Sequence, residues 1–230
     1  MAAGSSTAKP VELNDTFLQA PAKPRLRGVS HEVAAFVFPL MGVAAVLAAR
    51  SSAEKVAVGI YTVGVTCMYA TSACYHRVHW APAPRSRMRR LDHSMILVAI
   101  ASTYTPVAVM GLPATTARAL LGVVWGLVIA GVLVRNLWAT APRWVMSVFY
   151  IGVGWTAVSV LPSLLAGLGV VNFALMLAGG AAYSLGALVL GLRRPDPAPA
   201  VFGYHEVFHA LVVVAGLLFY LVVLGLITKG

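Results

Sequence analysis

Apolar segments about 20 residues long recur along this chain, and their length constrains the fold more than any other feature. Seven can be read, at 30–49, 56–75, 91–112, 114–134, 144–164, 170–192 and 204–227. About 20 residues of α-helix cross the hydrocarbon core of a bilayer. The segments do not alternate in polarity as barrel strands would. The sequence therefore predicts an all-α membrane protein, a bundle of seven transmembrane helices.

Composition agrees with this interpretation. Of the 230 residues, 60% are hydrophobic and only 10% are charged, and the mean hydropathy is +0.85. A soluble domain of this length does not need so much apolar content. We expect one transmembrane domain over 30–230, preceded by a polar tail, 1–29, that is disordered and cytoplasmic. The tail lacks a short apolar core followed by a cleavage site, so we expect no signal peptide.

Basic side chains are distributed unevenly between the two ends of the predicted spans. With the N-terminus inside, the outer segments hold only Arg50, Lys55, Arg118 and Lys229, which leaves 13 of the 17 basic residues inside. This asymmetry predicts a cytoplasmic N-terminus, an outer C-terminus and a multi-pass protein of the plasma membrane. It also accounts for the net charge of +10 without a nucleic-acid partner. Membrane lipids are the expected partners, and the oligomeric state stays open.

Ionisable side chains at membrane depth are costly and mark candidate functional sites. His76 ends the second predicted span, Asp92 begins the third, and His205 and His209 begin the seventh, so all four lie in the inner leaflet. The i, i+4 spacing puts His205 and His209 on one helix face, and Ser72 is one turn from His76. Three neutral imidazoles leave an open position on a tetrahedral zinc ion, which lowers the pKa of bound water to about 7. Asp92 would orient that water or take its proton, with Ser72 as a hydrogen-bond partner.

Other polar residues near the predicted span ends carry plainer interpretations. We expect His31 and His79 to be interfacial residues. His93 adjoins Asp92 but faces another side of the helix, and Cys74 faces away from His76. Cys74 is also about 10 Å along the helix axis from Cys67, the second cysteine of the chain, which excludes a disulfide between them.

The segment His205-Glu206-Val207-Phe208-His209 also matches the H-E-x-x-H pattern of zinc proteases. In that pattern Glu206 would be the general base, a role for which Asp92 competes. Hydropathy excludes a soluble protease fold, so the match favours metal binding more than proteolysis. The roles of Glu32, His93 and Glu206 stay open.

Three short motifs carry a family resemblance: Ser-Ala-Cys-Tyr-His-Arg-Val at 72–78, Leu-Asp-His at 91–93 and Gly-Tyr-His-Glu-Val-Phe-His at 203–209. They resemble the motifs of bacterial hemolysin III proteins, which belong with the progestin and adipoQ receptors, including the adiponectin receptors, and more distantly with alkaline ceramidases. The resemblance covers all seven spans and implies that His76, His205 and His209 are zinc ligands, with Ser72 and Asp92 beside the metal-bound water. The segment before the first span, 25–31, departs from the family pattern, and Glu32 would stand in for its acidic residue.

These observations leave three functions open. The first is a zinc-dependent, ceramidase-like hydrolase of lipid amides or esters at the cytoplasmic leaflet. The alternative is a non-enzymatic, zinc-containing sensor or receptor in membrane homeostasis. A cytolysin is the least favoured, because a secreted toxin would carry a signal peptide and change from a soluble to an inserted form.

Overall fold

The computed structural model describes residues 23–138 and 140–229, so most of the predicted tail, 1–22, lies outside the described residues. The helices are α1 (Val29–Ala48), α2 (Ser52–Arg77), α3 (Pro82–Gly111), α4 (Ala114–Leu137), α5 (Arg143–Trp155), α6 (Leu161–Leu192) and α7 (Tyr204–Lys229). A 3₁₀ helix, Thr156–Val160, joins α5 to α6. An isolated bridge between Ala198 and Phe202 is the one β feature in the described part of the chain. The predicted all-helical class is confirmed.

Six helical stretches within the described ranges are long and apolar enough to cross a membrane. One of them, Trp144–Leu192, is 49 residues long and contains both the fifth and the sixth predicted segments. Gly169 interrupts it with φ 75° and ψ 164°, a non-helical conformation that favours glycine. The interruption falls one residue before the predicted start of the sixth segment.

The connection before the third span differs from the prediction. The third span was predicted to begin at residue 91, but α3 already begins at Pro82. Proline fits the first position of a helix, where its missing N–H has no intrahelical partner. At 1.5 Å per residue α3 is about 45 Å long, against roughly 30 Å of hydrocarbon. Its first turns, which carry Arg85, Arg87 and Arg89 on the exposed surface, therefore extend beyond the span.

Helices α2 and α7, which carry the predicted histidine ligands, are held together by buried tyrosines. The Tyr61 hydroxyl donates to the carbonyl of Gly216 at 3.1 Å, and the Tyr69 hydroxyl donates to the carbonyl of Val212 at 3.4 Å. A Cβ atom on Gly216 would lie 2.2 Å from the Tyr69 hydroxyl, so glycine permits this approach. Small residues allow helices to pack closely in a bilayer. The end of α2 and the start of α7 thus lie side by side.

Candidate metal centre

Three histidines meet where α2 ends and α7 begins. His76 is the next-to-last residue of α2, and His205 and His209 lie in the first two turns of α7. The Nε2 atoms of His205 and His76 are 3.3 Å apart, and one ligand atom from each of the three rings lies within 4.8 Å of the other two. His209 and His76 are buried, with 1% and 8% exposure, and His205 is half-buried. The structure therefore brings together the three ligands predicted from the sequence.

The donor set fits a metal ion. Zinc–nitrogen bonds of 2.0–2.1 Å in a tetrahedral site separate the donor atoms by roughly 3.3 Å, which is the His205–His76 separation. Imidazole suits zinc and several other transition metals. The cluster could hold a metal ion.

Glu206 lies between the two histidines of α7 but caps the helix. Its Oε2 atom accepts a hydrogen bond from the backbone N–H of Gly203 at 2.8 Å, and its Oε1 atom accepts one from Nε of Arg27. Its exposure is 2%. Asp196 supports the same helix start by accepting from the backbone N–H of Tyr204 at 2.8 Å. Both carboxylate oxygens of Glu206 are thus engaged in fixing the start of α7, which disfavours the general-base role that the H-E-x-x-H pattern suggests.

A segment ahead of α1, residues 24–28, lies against the centre and is called here the N-terminal strap. Backbone N–H groups of Arg25 and Leu26 donate to the carbonyls of Ala200 and Val201, each at 3.1 Å. Gly28 has φ 82°, and a Cβ atom there would lie 2.8 Å from Cβ of His76. The strap thus joins the start of α1 to His76 on one side and to the loop before α7 on the other.

Ser72 and Asp92 are buried beside the histidines, with 3% and 8% exposure. The Ser72 hydroxyl lies next to the Asp92 carboxyl, and Ser72 is one helical turn from His76. Within the described ranges, no hydrogen bond joins Asp92 directly to the three imidazoles. His93 approaches Asp92, with 3.8 Å between Nδ1 and Oδ2, and its Nδ1 atom is 2.6 Å from the carbonyl of Arg89. Asp92 thus contacts Ser72, which lies one helical turn before His76 on α2.

The interfacial assignment of His31 was wrong. His31 is 2% exposed and stacks on His209, with ring centroids 3.9 Å apart and planes only 3° from parallel. His31 lies in the first turn of α1, at the same end of the bundle as the other histidines. This shared position could have indicated from the sequence that His31 lies near them. His79, by contrast, is exposed.

Two other sequence candidates lie apart from the cluster. Glu32 pairs with Arg77 at 2.9 Å, and both side chains are more than 40% exposed. Cys74 and Cys67 are both free thiols. Neither Glu32 nor Cys74 belongs to the group of donor atoms formed by the three histidines.

An all-helical, multi-pass integral membrane protein with three histidines at one end of the bundle is the class that this fold and site define. The chain matches the family described as haemolysin-III related over residues 19–220, and it belongs to that family. It is 31% identical over 138 residues to Hemolysin-3 of Bacillus cereus, a match that covers 60% of this chain and 63% of that protein. It is 26% identical over 162 residues to the Hemolysin-3 homolog of Bacillus subtilis (strain 168), covering 70% and 73%. The chain thus spans just under two thirds of the first relative's length. Family and helices agree with a bacterial plasma membrane location.

Proposed function

We propose that this chain is a zinc-binding membrane protein that hydrolyses lipid amides or esters at the cytoplasmic leaflet. The observation that carries the proposal is the convergence of His76, His205 and His209, whose donor atoms lie within 4.8 Å of one another. Three protein ligands leave one coordination position for water or substrate. When bound there, zinc supplies Lewis acidity and activates water at neutral pH.

Ser72 and Asp92 supply the remaining chemistry in this proposal. Asp92 takes the proton of the attacking water, and Ser72 donates a hydrogen bond that positions Asp92 or the developing oxyanion. Both side chains are buried, and electrostatic interactions are stronger where water is excluded. The adjacency of the Ser72 hydroxyl and the Asp92 carboxyl supports this division of roles.

A lipid substrate follows from where the site lies. The histidines are at the ends of apolar helices, so a molecule that reaches them from the bilayer carries its polar group at the interface. An apolar cavity of about 140 Å³ opens between α1 and α7, and Tyr69 lines it. The Tyr69 ring contacts His31 with centroids 5.1 Å apart, and His31 in turn stacks on His209, so these two rings connect the cavity to the centre. Its other lining residues are Ser30, Val33, Ala34, Val37, Phe38, Met41, Val213 and Leu217, a surface that suits an acyl chain.

The proposal includes seven spans, with the N-terminus inside and the C-terminus outside. His76 and His205 touch, so the end of α2 and the start of α7 lie on the same side of the membrane. The chain between them must then cross an even number of times. Helices α3 and α4 account for two crossings. The stretch Trp144–Leu192 would be about 74 Å long if straight, more than twice the hydrocarbon thickness, so two crossings that reverse near Gly169 fit its length.

One observation favours a second function, that of a non-enzymatic zinc-containing sensor or receptor in membrane homeostasis. The three rings contact one another, with centroids 4.6–4.9 Å apart. His209 has an exposure of only 1%. So closed a centre suits a metal that holds α2 against α7, and in that case no substrate would reach it.

Metal analysis tests the centre itself. Purified chain in detergent is expected to carry one zinc per molecule, and the His205→Ala/His209→Ala double variant is expected to lose it. His79→Ala is the matched control, because His79 is exposed and outside the cluster. Full zinc occupancy in the double variant would contradict the assignment.

Turnover distinguishes the two functions. Asp92→Asn and Ser72→Ala are expected to keep zinc and to lose hydrolysis by about a hundredfold or more. The assay follows release of fluorescent fatty acid from N-acyl and O-acyl lipids in mixed micelles, with His76→Ala as the inactive reference. A zinc-loaded parent that cleaves none of these lipids would favour the sensor.

A further inference from the structure

His31 is a buried imidazole that none of the roles above uses. Among the described residues neither of its ring nitrogens makes a hydrogen bond of normal distance and angle, although the ring lies close to the backbone of His209. Its exposure is 2%, and leaving a buried polar group without a partner normally costs about 1–3 kcal/mol. An apolar side chain could fill the same volume without this cost, so packing alone does not explain a histidine at position 31.

The geometry excludes His31 as a fourth ligand of the same ion. A ligating imidazole holds its metal in the plane of the ring, about 2 Å from the nitrogen. The rings of His31 and His209 lie face to face, 3.9 Å apart and 3° from parallel. Rings stacked in this way lie in separate parallel planes, so His31 would not share an ion that His209 would hold.

His209 lacks the contact that usually orients a ligating histidine. Such a ring commonly donates its second N–H to a carboxylate, a carbonyl or a water. In the described part of the chain, the buried Nδ1 atom of His209 has no such partner. Among its ring contacts the parallel stack on His31 has the shortest centroid distance, 3.9 Å, and the Tyr69 ring contacts His31 at 5.1 Å and 64°.

The strap holds His31 in register for this contact. Gly28, with its left-handed conformation, fits directly against His76 just before α1 begins. Arg27 pairs with Glu206 on α7. His31 thus sits at a fixed height on α1, opposite a ring that is fixed on α7.

We propose that His31 is a positioning residue of the metal centre and that it acts through the flat face of its ring. Stacking fixes the plane of His209, in place of the hydrogen bond that is absent at Nδ1. A cation bound at the other edge of His209 would withdraw electrons from that ring, and an electron-rich stacked neighbour then stabilises it. The inference rests on the proposed metal centre.

Three substitutions of His31 distinguish the contribution of its ring face from that of its ring nitrogens. His31→Phe keeps a planar ring and removes both nitrogens, His31→Asn keeps hydrogen-bonding groups and removes the ring, and His31→Ala removes both. The full chain is purified in detergent, and zinc affinity is measured by competition with a chromogenic chelator. The absorption spectrum of the cobalt-loaded form reports the ligand geometry. His79→Ala is again the control.

We expect His31→Phe to keep the parent's cobalt spectrum and a zinc affinity within about threefold, since loss of an orienting partner typically costs 10–100-fold. His31→Ala and His31→Asn are expected to lose at least tenfold in affinity and to change the spectrum. Melting of the metal-free forms shows whether any variant has failed to fold. Retention by His31→Asn with loss by His31→Phe would overturn the proposal, as would parental affinity in all three. A parent that binds no zinc would instead overturn the centre itself.

Discussion

At the scale of single residues, Glu206 occupies the general-base position of the H-E-x-x-H pattern but has a different role in the structure. It stands between His205 and His209 in sequence, yet its carboxylate holds the strap and the start of α7 together through Arg27 and Gly203. A buried carboxylate left without its partner is strongly destabilising. Removing the Arg27–Glu206 contact is therefore expected to change the stability of the fold more than the chemistry of the site.

We predict that Arg27→Ala lowers the free energy of unfolding by about 3 kcal/mol, because it leaves Glu206 charged and buried at 2% exposure. Glu32→Gln is the matched control, since it breaks an exposed pair with Arg77 that is worth less than about 1 kcal/mol. Thermal unfolding in detergent measures both, and zinc content is expected to persist in each. Equal effects from the two substitutions would mean that the Arg27 contact has no special structural weight.

At the scale of helices, the sequence predicted the long apolar helices correctly but some of their ends less accurately. The positions of His205 and His209 in α7 and of His76 at the end of α2 could be predicted from the sequence. Helical spacing and the cost of placing charge in hydrocarbon both depend only on the local sequence. The early start of α3 at Pro82 was missed because the arginine-rich turns project beyond the hydrocarbon, where hydropathy no longer reports structure. The stacking of His31 was missed because it depends on how α1 packs against α7, a contact between the two ends of the chain.

Close helix crossings give a prediction at the same scale. A Cβ atom on Gly167 would lie 1.7 Å from the carbonyl oxygen of Gly111, so backbone meets backbone where α6 crosses the end of α3. We expect Gly167→Ala to force the helices apart and to cost at least about 2 kcal/mol. Gly180→Ala, within α6 but beyond the interruption at Gly169, has open space for its methyl group and is expected to be neutral or slightly stabilising. Unfolding in detergent compares the two, and similar stability would show that α6 does not make this contact in the membrane.

At the scale of the whole molecule, positive charge collects at the end of the bundle that holds the histidines. Partial burial, with nearby Arg27, Arg77 and Arg85, lowers the pKa of Lys23 below its ordinary value. The exposed arginines of α3 extend the same surface. A cationic surface of this kind favours the cytoplasmic leaflet for two reasons. The positive-inside rule orients basic segments toward the cytoplasm during insertion, and basic side chains are attracted to anionic headgroups.

Reporter fusions test the resulting topology. A fluorescent protein joined after Lys229 is expected to be dark and a phosphatase there active, because the proposed topology has the C-terminus outside. The opposite result is expected between α2 and α3, after His79, and an insertion at Pro113 between α3 and α4 serves as an internal outer reference. Because His76 touches His205, α2 must end on the side where α7 starts. A cytoplasmic C-terminus together with a cytoplasmic connection after His79 would mean that α7 starts on the opposite side from the end of α2, and the proposed metal centre would then be impossible in the membrane.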